Sequence, residues 1–108
     1  MIRDTVIQGT DYGRAGLFTL PSTLGTWAVE AKVFYPDRTL VQTLSASIMA
    51  LSQPDADGHT HGVSIAAIPA QTALWPLTKL HCGLKFTASG GTVFESSLYE
   101  IAVRPGTP

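Results

Sequence analysis

Apolar and polar residues alternate through most of this chain, and Pro, Gly and Asp interrupt the alternation at intervals. That is the period of strands with one buried face, not of helices. In "TWAVEAKVFY" (26–35), Trp27, Val29, Ala31, Val33 and Tyr35 share a face, with Ala28, Glu30 and Lys32 opposite and Phe34 as the exception. "PDRT" (36–39) predicts a turn, since Pro36 closes a strand and Asp37 is a turn former. "LVQTLSASIMAL" (40–51) places Leu44, Ala46, Ile48 and Ala50 inward, and "HGVSIAAI" (61–68) does the same for Val63, Ile65 and Ala67. In "KLHCGLKFTAS" (79–89) the inward set is Leu80, Cys82, Leu84 and Phe86.

"GG" (90–91) marks a tight hairpin into "TVFESSLYEIAVR" (92–104). The apolar phase of that last run is even at Phe94 and Leu98 and odd at Tyr99, Ile101 and Val103, which predicts a β-bulge near Leu98–Tyr99. Residues 1–25 are less regular: "TVIQ" and "AGLFTL" read as short strands around the Gly-rich "GTDYGRAG" (9–16). "PAQTALWP" (69–76) is the one helical candidate, limited to a turn or two by its flanking prolines. About seven strands and no sustained helix predict an all-β fold, a single immunoglobulin-like antiparallel sandwich over residues 1–108, with Trp27 in its core.

Apolar residues make up 44% of the chain and charged residues 14%, enough for a core and against disorder. The 7 basic and 8 acidic residues are scattered singly, so nothing predicts a nucleic-acid partner. No apolar run approaches membrane-spanning length, so no membrane insertion is expected. Cys82 is the single cysteine and excludes an intrachain disulfide. So few charges defend a small surface poorly and predict a homo-oligomer or ring subunit, with "GTDYGRAGLF" and the 52–62 loop among the contacts.

The chemistry-bearing stretch is "DADGHTHG" (55–62). Asp55, Asp57 and Gly58 echo the start of a calcium loop, but position 12 of such a loop is Ala66 and no helices flank it. His59 and His61 would share a face on a strand and lack a third ligand, since His81 falls on a distant strand. The stretch is read as a hairpin tip, with Asp55, Asp57, His59 and His61 kept as weak metal candidates and no cofactor expected. Tips from several copies converging on an axis remain the alternative. Cys82 alternates with leucines as a core residue, and Glu30, Glu95 and Glu100 are expected on exposed faces without pairing. No nucleophile–base constellation predicts an enzyme. The interface candidates are Tyr12, Arg14, Phe18, His59, His61 and Trp75, with Trp75 read first as a plug at one end of the sandwich.

Residues 66–105, "AAIPAQTALWPLTKLHCGLKFTASGGTVFESSLYEIAVRP", resemble a module of tailed bacteriophages. There a strand leads through a "P-x-x-T-x-x-W-P" crossover to a second strand, a Gly turn and a last strand ending near "V-x-P". Such modules occur as small virion proteins and as the N-terminal adaptor domain of upper-baseplate and tail-fibre-associated proteins. This chain departs from the pattern at Gly83, where an acid is frequent, and in its "RPGTP" ending. The resemblance implies no catalytic residues. It implies a virion structural protein, an adaptor of the tail, baseplate or tail-fibre attachment, made in the host bacterial cytoplasm and working by assembly with copies of itself and larger tail components. A carbohydrate- or receptor-binding module at a fibre tip and a capsid decoration protein are the alternatives.

Overall fold

The computed structural model describes residues 3–96 and 99–106, which form an elongated β-sandwich of 49 × 27 × 24 Å. Its strands are β1 (Arg3–Ile7), β2 (Tyr12–Phe18), β3 (Trp27–Phe34), β4 (Leu40–Ala50), β5 (His61–Ala67), β6 (Lys79–Ala88), β7 (Val93–Glu95) and β8 (Tyr99–Arg104). The first sheet runs β1-β8-β6-β3 and the first half of β4, with β7 also against β6. The second sheet is the other half of β4, then β5, then β2.

β4 belongs to both layers. Leu40–Leu44 pair with β3, and Ser45–Ala50 pair with β5. One continuous strand therefore closes one side of the sandwich covalently. β1 is the exception to the antiparallel pattern, lying parallel to β8 with Arg3 opposite Glu100.

Apart from Ala50, which the alternation places inward but which is exposed at the end of β4, the inward rows named from the alternation make up or pack against the core. Trp27, Ala31, Val33, Leu44, Val63, Ile65, Leu80, Cys82, Leu84, Phe86 and Ile101 are buried, and Val29, Ala46 and Ile48 pack against them half-buried. Trp27 keeps its indole N–H satisfied by donating to the Pro21 carbonyl at 3.0 Å. Deleting that side chain costs on the order of 3–5 kcal/mol by the usual large-to-small penalty.

The last run differs from a single strand. Lys85 pairs with Glu95 but Cys82 pairs with Tyr99, so three steps along β6 face four on the return strand. The register therefore shifts by one residue, as a bulge requires. Leu98, the bulge position named from the sequence, lies outside the described residues. At the break, the Leu84 N–H donates to Ser96 Oγ at 3.0 Å, a side chain taking the place of a ladder carbonyl.

One end is closed by the crossover. α1 is a single helical turn, Pro69–Thr72, opened by Pro69 and held by the Ile68 N–H donating to Gln71 Oε1. Thr72 is fully buried, donates to the Thr10 carbonyl at 2.7 Å and accepts from the Gly9 N–H at 3.1 Å. Gln8 donates to the Trp75 carbonyl at 2.6 Å. These bonds dock the β1–β2 turn onto the crossover, and Gly9 sits at φ 78°, where glycine is favoured. Trp75, 1% exposed, plugs that end.

Residues 3–25, the described part of the less regular opening, contain β1, β2 and a 3-10 turn at Ser22–Leu24. The alternation in β2 is masked. Its inward positions are Tyr12, Arg14, Gly16 and Phe18, one charged and one without a side chain. A Cβ at Gly16 would sit 3.3 Å from the Phe18 ring, which leans onto Phe86, so a larger residue there would have to push that ring by a few tenths of an ångström.

Candidate functional site

Three places concentrate polar or apolar groups that the fold alone does not require. The first joins the two sheets on the side opposite β4. Asp4 on β1 accepts from Arg14 on β2 at 2.7 Å through Oδ1 and from the Tyr12 hydroxyl at 2.8 Å through Oδ2. The Tyr12 and Tyr99 hydroxyls are 2.9 Å apart. The one hydrogen bond that the Tyr12 hydroxyl can donate goes to Asp4, so Tyr99 must donate to Tyr12. Cys82 sits opposite Tyr99 across the β6–β8 ladder, and the Arg14 guanidinium lies 5.1 Å over the Tyr99 ring. Burial pushes both phenols and the Cys82 thiol up from their ordinary values. The hydrogen bond to Asp4 holds Arg14 more firmly protonated still. A thiol and two phenols held neutral are poor nucleophiles and poor bases. This chain of groups bolts one sheet to the other.

The second place is the 55–62 loop. Asp55, Asp57 and His59 bring one ligand atom each within 4.8 Å of one another. Asp55 is already engaged: Oδ1 accepts from the Asp57 and His59 N–H groups at 3.0 and 2.8 Å, and Oδ2 meets His59 Nδ1 at 2.9 Å. The His59 side chain, then its N–H, hold the Asp55 carboxyl below the usual range. His61 does not join them. It is buried at the start of β5, with Nδ1 2.7 Å from Thr60 Oγ1, and lines an end cleft of about 490 Å³ with Trp27, Ile48 and Leu51. The expected shared face of His59 and His61 is thus absent, because His59 belongs to the turn and only His61 to the strand. Among the described residues, no Asp, Glu, Lys or Arg lines that cleft.

The third place is the pair of outer faces. On the first sheet Arg3, Glu30, Lys32, Lys79, Lys85, Glu95, Glu100 and Arg104 point away from the core. Contrary to the unpaired acids expected, Glu100 lies 3.7 Å from Arg3 and 3.9 Å from Lys79, and Glu30 lies 3.1 Å from Lys32. The second sheet presents three rungs: Leu17–Gly62–Met49, Ala15–Ser64–Ser47 and Gly13–Ala66–Ser45. None is charged. Leu17 and Met49, 49% and 72% exposed, wall a hollow of about 430 Å³ floored by Gly62.

Against this geometry the interface candidates divide. Tyr12, His61 and Trp75 are buried, and Arg14, Phe18 and His59 are half-buried, so none is a freely presented contact group. The segments named are nevertheless exposed through other residues: Gly13, Ala15 and Leu17 on β2, and residues 52–54 and 56–58 in the 52–62 loop. Sequence reasoning misses those on β2 because a Gly-rich run reads as loop.

No protein-family model and no curated protein matches the chain. Among solved structures, the sialic acid binding region of a Streptococcus sanguinis adhesin matches at TM-score 0.55 and 13% identity, over 97% of this chain and 28% of that one. CopC of Methylosinus trichosporium matches at TM-score 0.47 and 17% identity, over 100% and 89% of the two chains. AggA, the major subunit of Escherichia coli aggregative adherence fimbriae type I, matches at TM-score 0.45 and 15% identity, over 96% and 91%. The fold is an immunoglobulin-like β-sandwich.

Proposed function

We propose that this protein is a structural subunit or adaptor whose mechanism is protein–protein assembly. The observation that carries the reading is the contrast between its two outer faces. The first sheet is studded with ion-paired charges suited to water, while the second presents nine outward residues without one charge. Uncharged, flat sheet surface on a small protein is ordinarily covered in its working state. The resemblance of residues 66–105 to phage modules then supports a finer reading, a subunit of the tail, baseplate or fibre-attachment region of a tailed bacteriophage, made in the bacterial cytoplasm and carried in the virion.

Nothing in the bolt or the loop tip supports catalysis, since neither sets a nucleophile beside a free base. Purified, salt-washed virions of the phage encoding this chain, analysed by mass spectrometry, are expected to contain it in fixed stoichiometry. Its absence from those particles would remove the virion reading.

A second reading rests on the end cleft beside Trp27, which has the size of a small-ligand site. An acidic sugar would find no Lys or Arg in its lining, so a neutral glycan is the ligand class to test there. Glycan-array binding that is lost with His61→Ala would favour that reading over assembly.

A further inference from the structure

β2 is the edge of the second sheet, and its far side has no strand partner among the described residues. A cleft of about 340 Å³ runs along its start, between Asp4–Ile7 of β1 and Tyr12–Arg14. Edge strands are normally guarded by outward lysines, prolines, bulges or inward charges. β2 has no Pro, no outward charge and an unbroken register from Tyr12 to Phe18. Its one charge, Arg14, points inward but is neutralised at 2.7 Å by Asp4 of the same chain, which disarms that guard. The other edge of this sheet is β4, which leaves for the first sheet at Leu44–Ser45 and so offers only a short straight edge.

We infer that β2 pairs antiparallel with β2 of a second copy of this chain, across a two-fold axis at Ala15, joining two three-stranded sheets into one of six. The inference rests on the assembly reading and names its first contact. A two-fold perpendicular to the sheet keeps faces matched, so each residue must meet one of its own parity. An axis at Arg14 would set two guanidinium groups directly opposite, a destabilising like-charge pair. An axis at Ala15 overlaps all of Tyr12–Phe18 and sets large against small: Leu17 meets Gly13 of the second copy, Arg14 meets Gly16, and Phe18 meets Tyr12. Every outward residue along this seam is uncharged, so identical faces approach without repulsion. The seam carries roughly six to eight backbone hydrogen bonds.

The test uses the full chain at micromolar concentration. Sedimentation is expected to show a dimer or a larger assembly built from dimers. Ala15→Cys is expected to cross-link under mild oxidation, because directly opposed residues of an antiparallel pair lie about 4.5–5.5 Å apart at Cα, within disulfide reach. Ala28→Cys on the outer face of the first sheet is the control and stays uncross-linked, as does native Cys82 in the core. Ala15→Glu, which opposes two carboxylates, is expected to weaken the dimer by about ten-fold or more with the melting curve of the monomer kept. An oligomer that Ala15→Glu leaves intact and Ala15→Cys does not cross-link would overturn the β2 seam while leaving assembly standing. A monomeric wild type, together with an Ala15→Cys variant that fails to cross-link, would overturn the seam as well, and assembly would then stand or fall on the virion analysis alone.

Discussion

The Tyr12 and Tyr99 hydroxyls, 2.9 Å apart, tie the edge strand of one sheet to the last strand of the other. Because the Tyr12 hydroxyl donates its one hydrogen bond to Asp4, the pair has a direction, and the two phenols are not equivalent. Tyr12→Phe leaves the Tyr99 hydroxyl without its acceptor and Asp4 Oδ2 without its donor, and is expected to cost about 1–3 kcal/mol. Tyr99→Phe leaves the Tyr12–Asp4 bond intact and is expected to cost less, about 0.5–1.5 kcal/mol. Urea denaturation of the two variants measures the order directly, and the reverse order would refute the donor assignment.

The same pair sets an alkaline limit. Burial raises both phenols above their ordinary value of 10.0, so the unfolded chain releases these protons first. Stability from this source is complete below the unfolded value and is lost as pH climbs above it toward the raised folded values. Phenolate absorbance of Tyr12 and Tyr99 is therefore expected to appear together with the loss of far-ultraviolet β signal. Ionisation of either well before unfolding would contradict their burial.

Much of this is legible in the sequence, and the boundary is physical. Trp27, Val33, Leu84 and Ile101 announce themselves because alternation is a local signal that burial enforces on every strand. The Asp4–Arg14 and Thr72–Thr10 contacts join residues whose sequence neighbours show no such pattern; only the packing of strand on strand brings them together. In β2 the face is unreadable because Arg14 occupies an inward position that alternation reserves for apolar groups. Trp75, between its leucine and proline neighbours, reads as an end plug, and that is where it lies.

Thr72 tests how the crossover is anchored. Its hydroxyl serves Gly9 and Thr10 at once, so Thr72→Val keeps the shape and strands a donor and an acceptor in the interior. The expected cost is about 1–3 kcal/mol by thermal or chemical denaturation. Thr72→Ser, which keeps the hydroxyl, is expected to lose less; equal losses would assign the effect to packing.

The loop tip is expected to hold itself without metal. Asp55 Oδ2 is engaged by His59 Nδ1, and a cation drawing on both side chains must displace that contact. Elemental analysis is expected to find no stoichiometric zinc or calcium, and chelator to leave the melting temperature unchanged. In an NMR titration the Asp55 midpoint lies below the usual carboxylate range, and His59→Ala is expected to raise it. Because the folded value is lowered, the loop's contribution is present above the unfolded value and fades as pH falls through the lowered one. A chelator-dependent drop of several degrees, abolished by His59→Ala, would restore the metal reading.

The uncharged face itself is tested most directly by placing one charge on each sheet in turn. Ser64 lies at the centre of the second sheet's outer face and Ala28 on that of the first, both exposed. Sedimentation velocity of the full chain carrying Ser64→Glu or Ala28→Glu, each checked for an unchanged melting curve, compares the two faces under identical conditions. The Ser64→Glu protein, altered one strand in from the β2 seam, is expected to keep the β2-paired dimer but lose association through the outer face, and the Ala28→Glu protein to associate as the wild type does. Equal behaviour of the two variants, or loss of association with Ala28→Glu alone, would contradict assembly through the second sheet.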